Sequence, residues 1–63
     1  MVCFALSGEN GRYGVRAGAI EFADLTADRE AVLRLIDALN ELQPSPIHWQ
    51  DIIEDFVQEC AML

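Results

Sequence analysis

The side chains able to do chemistry in this 63-residue chain are few: one histidine, two cysteines, four arginines and eleven carboxylates, with no lysine. His48 with Asp51 is a general-base pair in outline, the carboxylate orienting the imidazole. His48 with Cys60 or Cys3 would be a pair of metal ligands. His48 and Cys60 stand twelve positions apart, about 18 Å along one helix, too far to share an ion. Cys3 meets His48 only if tertiary packing brings them together. With Ser45 as helix cap, His48 falls in the first turn, where the helix dipole disfavours an imidazolium. A neutral surface imidazole is the expectation.

The carboxylates Asp51, Glu54 and Asp55 have the chemistry for a divalent cation. They lack a Gly-bearing loop of alternating oxygen ligands, and helix-face carboxylates alone hold Ca²⁺ or Mg²⁺ weakly. No Ser-His-Asp, Cys-His or Walker-type order is present. Gly8, Gly11, Gly14 and Gly18 are spread along the chain and form no phosphate cradle. Arg12 and Arg16 share one face of a strand and could grip an anion. Glu21 on the next strand is their more ordinary partner. We therefore expect no catalytic residue, no metal and no cofactor, and no enzyme, since so small a core hardly forms a substrate pocket. A small metal- or ligand-binding protein centred on His48 and its neighbouring carboxylates is the alternative.

The elements that position these groups follow from periodicity. Residues 2–7 are an apolar run ending at Gly8-Glu9-Asn10-Gly11, which predicts a buried strand and a two-residue hairpin turn at Asn10-Gly11. A second strand over Arg12–Ala17 puts Tyr13 and Val15 on one side and Arg12 and Arg16 on the other. After Gly18, a third strand over Ala19–Asp24 sets Ile20 and Phe22 against Glu21. Thr26 is the expected N-cap of a first helix, with Asp28 and Glu30 favoured by the dipole. Val32, Leu35, Ile36, Leu39 and Leu42 form its apolar stripe, and Pro44 ends it. Ser45-Pro46 restarts a helix with Pro at the first position, and Pro44 and Trp49 are placed for a hydrophobic staple. Trp49, Ile52, Ile53, Phe56, Val57 and Cys60 are the second stripe. A sheet with one apolar face needs a cover, and two amphipathic helices need a floor. The expectation is one domain, residues 1–63, of α+β class: a three-stranded antiparallel meander under an antiparallel helical hairpin, βββαα.

Net charge is −7, and all but one unit of it lies in residues 35–63, which hold six acids and no Arg. That balance argues against direct binding of nucleic acid, which needs basic residues, and against an anionic membrane. Asp51, Asp55 and Glu59 stack like charges at i, i+4 and i+8, each pair unfavourable by ~0.2–0.5 kcal/mol. An acidic face keeps a small protein soluble; it also steers a basic partner. The candidate partner-binding residues are Asp51, Glu54, Asp55, Glu59 and, as an aromatic anchor, Trp49. As first member of its stripe, Trp49 also fits the core. A DNA mimic of a basic DNA-binding protein is a variant of this reading.

Two cysteines at opposite ends make no disulfide framework, and each is expected to behave as a small buried hydrophobe. The first six residues lack a basic region and make a poor signal peptide; no run approaches a membrane span. A cytoplasmic protein is expected. Cys60-Ala61-Met62-Leu63 matches a prenylation box, but acids precede it and Cys60 continues the helical stripe. Met62 and Leu63, if exposed, would suit contact with a second copy.

Tyr13-Gly14-Val15, then Asp24-Leu25-Thr26-Ala27-Asp28-Arg29-Glu30, then Ser45-Pro46-Ile47-His48 and Ile52-Ile53-Glu54-Asp55-Phe56 give the chain a family likeness. Over about residues 12–57 it resembles a family of short bacterial domains of unknown function from Clostridia-type Gram-positive bacteria. The closing Ser-Pro-x-His…Glu-Asp-Phe segment is the most specific part. The resemblance implies a bacterial, intracellular accessory protein and brings no activity with it. It also counts against prenylation. Function is thus expected to be that of a small acidic interaction or regulatory module with a protein partner.

Overall fold

Asn10 and Gly11 make the first reversal of the chain, with φ of 54° and 82°, the positive pair that a tight hairpin turn demands. The structure, a computed structural model, describes residues 2–62. The turn joins β1 (Phe4–Glu9) to β2 (Arg12–Ala17); β3 (Ile20–Thr26) follows, then α1 (Arg29–Leu42), a 3-10 turn at Pro46–His48, and α2 (Trp49–Met62). The sheet order is β1-β2-β3, antiparallel throughout. The expected α+β arrangement, three strands then two helices, is the observed one.

β1 alternates rather than being buried throughout. Phe4 is buried and Leu6 half-buried toward the helices, while Cys3 and Ala5 are exposed. One face of the sheet is covered and the other is not, so only every second residue can be inside. Cys3 is accordingly no core hydrophobe, and neither cysteine is paired. On β2, Val15 and Ala17 join Phe4 in the core, with Arg12 and Arg16 on the open face, as expected.

The third strand departs from the expected reading. Tyr13 faces Thr26 and Val15 faces Phe22, so residues 23–25 of β3 stand opposite Gly14 alone. Asp24 sits within this bulge at φ 59°. A Cβ at Gly14 would collide with the Phe22 carbonyl oxygen and lie 3.0 Å from the Ala23 Cα. Only glycine admits the backbone of β3 so closely. The bulge absorbs two residues, carries the strand on to Thr26, and moves the helix start along. Thr26 is therefore not the N-cap. Its Oγ1 accepts the Asp28 amide at 3.2 Å, and Asp28 caps α1 by accepting the Ala31 amide at 3.2 Å.

α1 buries Val32, Ile36 and Leu39 and lies over β1 and β2; α2 buries Trp49 and Ile53 and lies over β3. Leu42, the last position of the expected α1 stripe, is 74% exposed. Leu42 falls at the last position of α1. There, Asn40 accepts the Phe4 amide at 2.8 Å and donates to the Phe4 carbonyl at 3.1 Å. Gln43, the αL cap of α1, does the same for Val2, at 2.9 and 2.7 Å. The two amides act as a substitute strand along the open edge of β1, an edge that would otherwise invite pairing.

Ser45 makes no side-chain cap bond; its carbonyl receives the His48 amide at 2.9 Å, and Pro46 opens a 3-10 turn before α2. In place of a purely apolar staple, the Trp49 indole donates to the Pro44 carbonyl at 3.0 Å. Its ring meets Phe4 edge-on, centroids 5.3 Å apart and planes at 75°, a favoured aromatic arrangement. This contact ties the helical link to the first strand.

Candidate interaction surface

The faces of α2 divide by the helical repeat. Trp49 and Ile53 point into the core, with Ile52, Phe56 and Val57 half-buried beside them; Asp51, Glu54, Asp55 and Glu59 fall on the remaining arc and are exposed. Gln50 donates to Glu54 at 3.3 Å. Asp37 and Glu41 on α1 are exposed as well. The two ion pairs among the described residues both belong to the sheet: Arg12 with Asp24 at 2.7 Å and Arg16 with Glu21 at 3.4 Å. None of these six carboxylates is in such a pair.

Trp49 does not join this surface. It is 6% exposed, so its expected use as an interface anchor is corrected to a core role. The Phe4 ring and the Pro44 carbonyl already engage its ring and its N–H. The structure brings Asp51, Glu54, Asp55 and Glu59 together on one helix face, and it separates Trp49 from them.

His48 is exposed in the 3-10 turn, as a surface imidazole should be. Among the described residues, no three His, Cys, Asp or Glu side chains converge as metal ligands. Cys60 is half-buried near the end of α2. Leu63 and the Met62 side chain lie outside the described residues, and with them the end of the prenylation box and the tail expected to contact a second copy.

The open face of the sheet is a shallow hollow of about 640 Å³, lined by Ser7, Arg12, Arg16, Glu21 and Asp24 among others. Its arginines are engaged by carboxylates of β3, so the sheet-pair reading holds for them. Arg16 takes the expected Glu21, while Arg12 takes Asp24, which the bulge turns toward it. Ser7 donates a hydrogen bond to Glu21. That bond, aided by the Arg16 charge, holds the Glu21 carboxyl below its ordinary value, against a smaller opposing effect of desolvation. The hollow carries balanced charge rather than an anion grip. Sequence reasoning missed Asp24 because the bulge has no residue signature beyond Gly14. It missed Asn40 and Gln43 because an amide at a helix end reads as ordinary surface.

Fold and surface together define a small α+β protein, a bulged three-strand meander under a helical hairpin whose outer side is acidic. The chain belongs to a family of unknown function (DUF6514), whose model matches residues 7–59. That span takes in the bulge, α1, most of α2 and all six acidic positions of residues 35–59. Comparison with curated proteins gives no match, and comparison with solved structures gives none. Among the described residues no helix is long and apolar enough to cross a membrane.

Proposed function

We propose that this protein is a non-enzymatic interaction or regulatory module that binds a basic protein partner through the acidic face of its helical hairpin. The observation that carries the reading is that six exposed carboxylates share residues 35–59 with no arginine and no ion pair among the described residues. Two of the four arginines pair across the open sheet face, and the other two, Arg29 and Arg34, stand in the N-terminal half of α1, so the hairpin sets seven carboxylates against two arginines and keeps a negative field. Such a face raises the encounter rate with a basic surface and fixes its orientation. The bacterial, cytoplasmic setting implied by the family likeness belongs to the same reading. A partner that ordinarily holds DNA would be met in the same way, the carboxylates standing where phosphates otherwise lie.

Pull-down from the native host at low and high salt tests it, together with Asp51→Lys, Asp55→Lys and Glu59→Lys in one chain. Binding should fall steeply as salt rises, because exposed charges are screened over about 8–10 Å at ordinary ionic strength, and should be lost in the triple variant. A partner held equally at both salts, or by the charge-reversed chain, sinks the reading.

A further inference from the structure

Leu42 and Ile47 are 74% and 80% exposed. In a chain this short, aliphatic area left in water is area withheld from a marginal core. The two residues flank the link between α1 and α2, five positions apart. The same end of the molecule carries the β2–β3 turn with Ile20, itself 47% exposed. The placement follows from the register: Ile20 faces Ala17, Ala17 faces Phe4, and Phe4 packs on Trp49 at the start of α2. Pro46, also exposed, stands beside Ile47.

The charged neighbours of this apolar end on the hairpin are of one sign. Glu41 precedes Leu42, and Asp51 lies one turn beyond Ile47; both are exposed. The nearest arginine along α1, Arg34, is eight positions back, about 12 Å along the axis. We infer that the link end of the hairpin is the contact core of the acidic surface, where Leu42 and Ile47 enter an apolar recess rimmed by basic residues on a partner protein. The same patch on a second copy of this chain is disfavoured as occupant, because a symmetric contact would set Glu41 and Asp51 against their own kind. The chemistry assigned is that of a small interface: an apolar centre that excludes water, inside a charged rim. The inference rests on the electrostatic reading proposed above for the nature of the partner, and adds where the contact energy arises.

Two synthetic probes test it: an amphipathic Leu/Lys helical peptide, and a control with each leucine replaced by serine. Amide NMR of the intact protein follows both, alongside a Leu42→Ser, Ile47→Ser double variant. The amphipathic peptide should shift amides over residues 41–51 and bind ~tenfold or more tightly than the control, since burial of even one aliphatic side chain supplies that factor. The double variant should lose this advantage while keeping the parent's thermal midpoint, both side chains being exposed in the folded state. Equal binding of the two peptides, or an unchanged affinity in the double variant, overturns the inference. So does a concentration-dependent dimer that the double variant abolishes, which would assign the patch to a second copy. If charge reversal at Asp51, Asp55 and Glu59 weakens both peptides while the double variant weakens neither, the electrostatic reading stands and this inference falls. The opposite pattern removes the electrostatic reading and leaves the apolar contact.

Discussion

Replacing Asn40 by Ala removes both partners of Phe4 on the open side of β1: the acceptor of its amide at 2.8 Å and the donor to its carbonyl at 3.1 Å. A net intramolecular hydrogen bond contributes about 0.5–1.5 kcal/mol, and a polar group left buried without a partner costs about 1–3. Asn40 is only half-buried, so water can reach part of the vacated site and the loss should fall near 1–2 kcal/mol. In a domain of this size each kcal/mol moves the thermal midpoint by about 4–8 °C, so a drop of roughly 5–15 °C is expected. Asn40→Leu separates bonding from bulk: it keeps a side chain of similar size and should lose nearly as much. The local readout is hydrogen exchange of the Phe4 amide, expected to quicken by roughly 5- to 30-fold, the factor equivalent to that free energy. With the edge opened, association at high concentration should also increase. A loss below about 0.5 kcal/mol with unchanged Phe4 exchange would refute the claim that the amide clasp holds the first strand. Recovery in Asn40→Leu would show that shape, not hydrogen bonding, does so.

Gly14→Ala should destabilise by about 1–3 kcal/mol or more, because the new methyl meets backbone on β3 that cannot rotate aside. Gly11→Ala, in open space but at φ 82°, should cost only the ~1–2 kcal/mol of a left-handed residue. Urea unfolding of the pair checks the order, and a milder effect at Gly14 would contradict the close approach. Ser7→Ala should raise the Glu21 pKa toward its ordinary 4.5, read by NMR titration. Because Glu21 titrates below its unfolded value, its contribution to stability is present above 4.5 and is lost as pH falls through the folded value. In Ser7→Ala that acid-side loss should shrink, and an unaltered titration midpoint would remove Ser7 as the cause.

Much of the fold was legible in the residues. The Asn10-Gly11 turn, the Arg12–Ala17 strand and the end of α1 at Leu42 all fall where local chemistry puts them. Each depends on contacts within a few residues, such as positive φ at a turn or Pro44 after a helix. The misplacements share one cause. Thr26 has good cap chemistry, but the β3 bulge kept it in the strand and passed the role to Asp28. Leu42 continues a stripe in perfect period, yet at the end of α1 it is left exposed. Trp49 could be weighed either as anchor or as core, and the Phe4 ring settled the matter. Of the candidate site, the four α2 carboxylates and their common exposed face were readable from spacing alone.

By itself the sequence determined the class, the order of elements and the location of the charge, because turn geometry, helical period and composition are properties of neighbours along the chain. Tertiary structure alone decided the bulge opposite Gly14, the amide clasp on β1, the exposure of Leu42 and Cys3, and the burial of Trp49. Those depend on which backbone lies against which, across separations of 36 to 41 residues for the clasp, and no local pattern encodes that distance. The −7 charge was countable from the chain; that its acidic half adjoins an apolar end beside the helical link became visible only once the chain was folded.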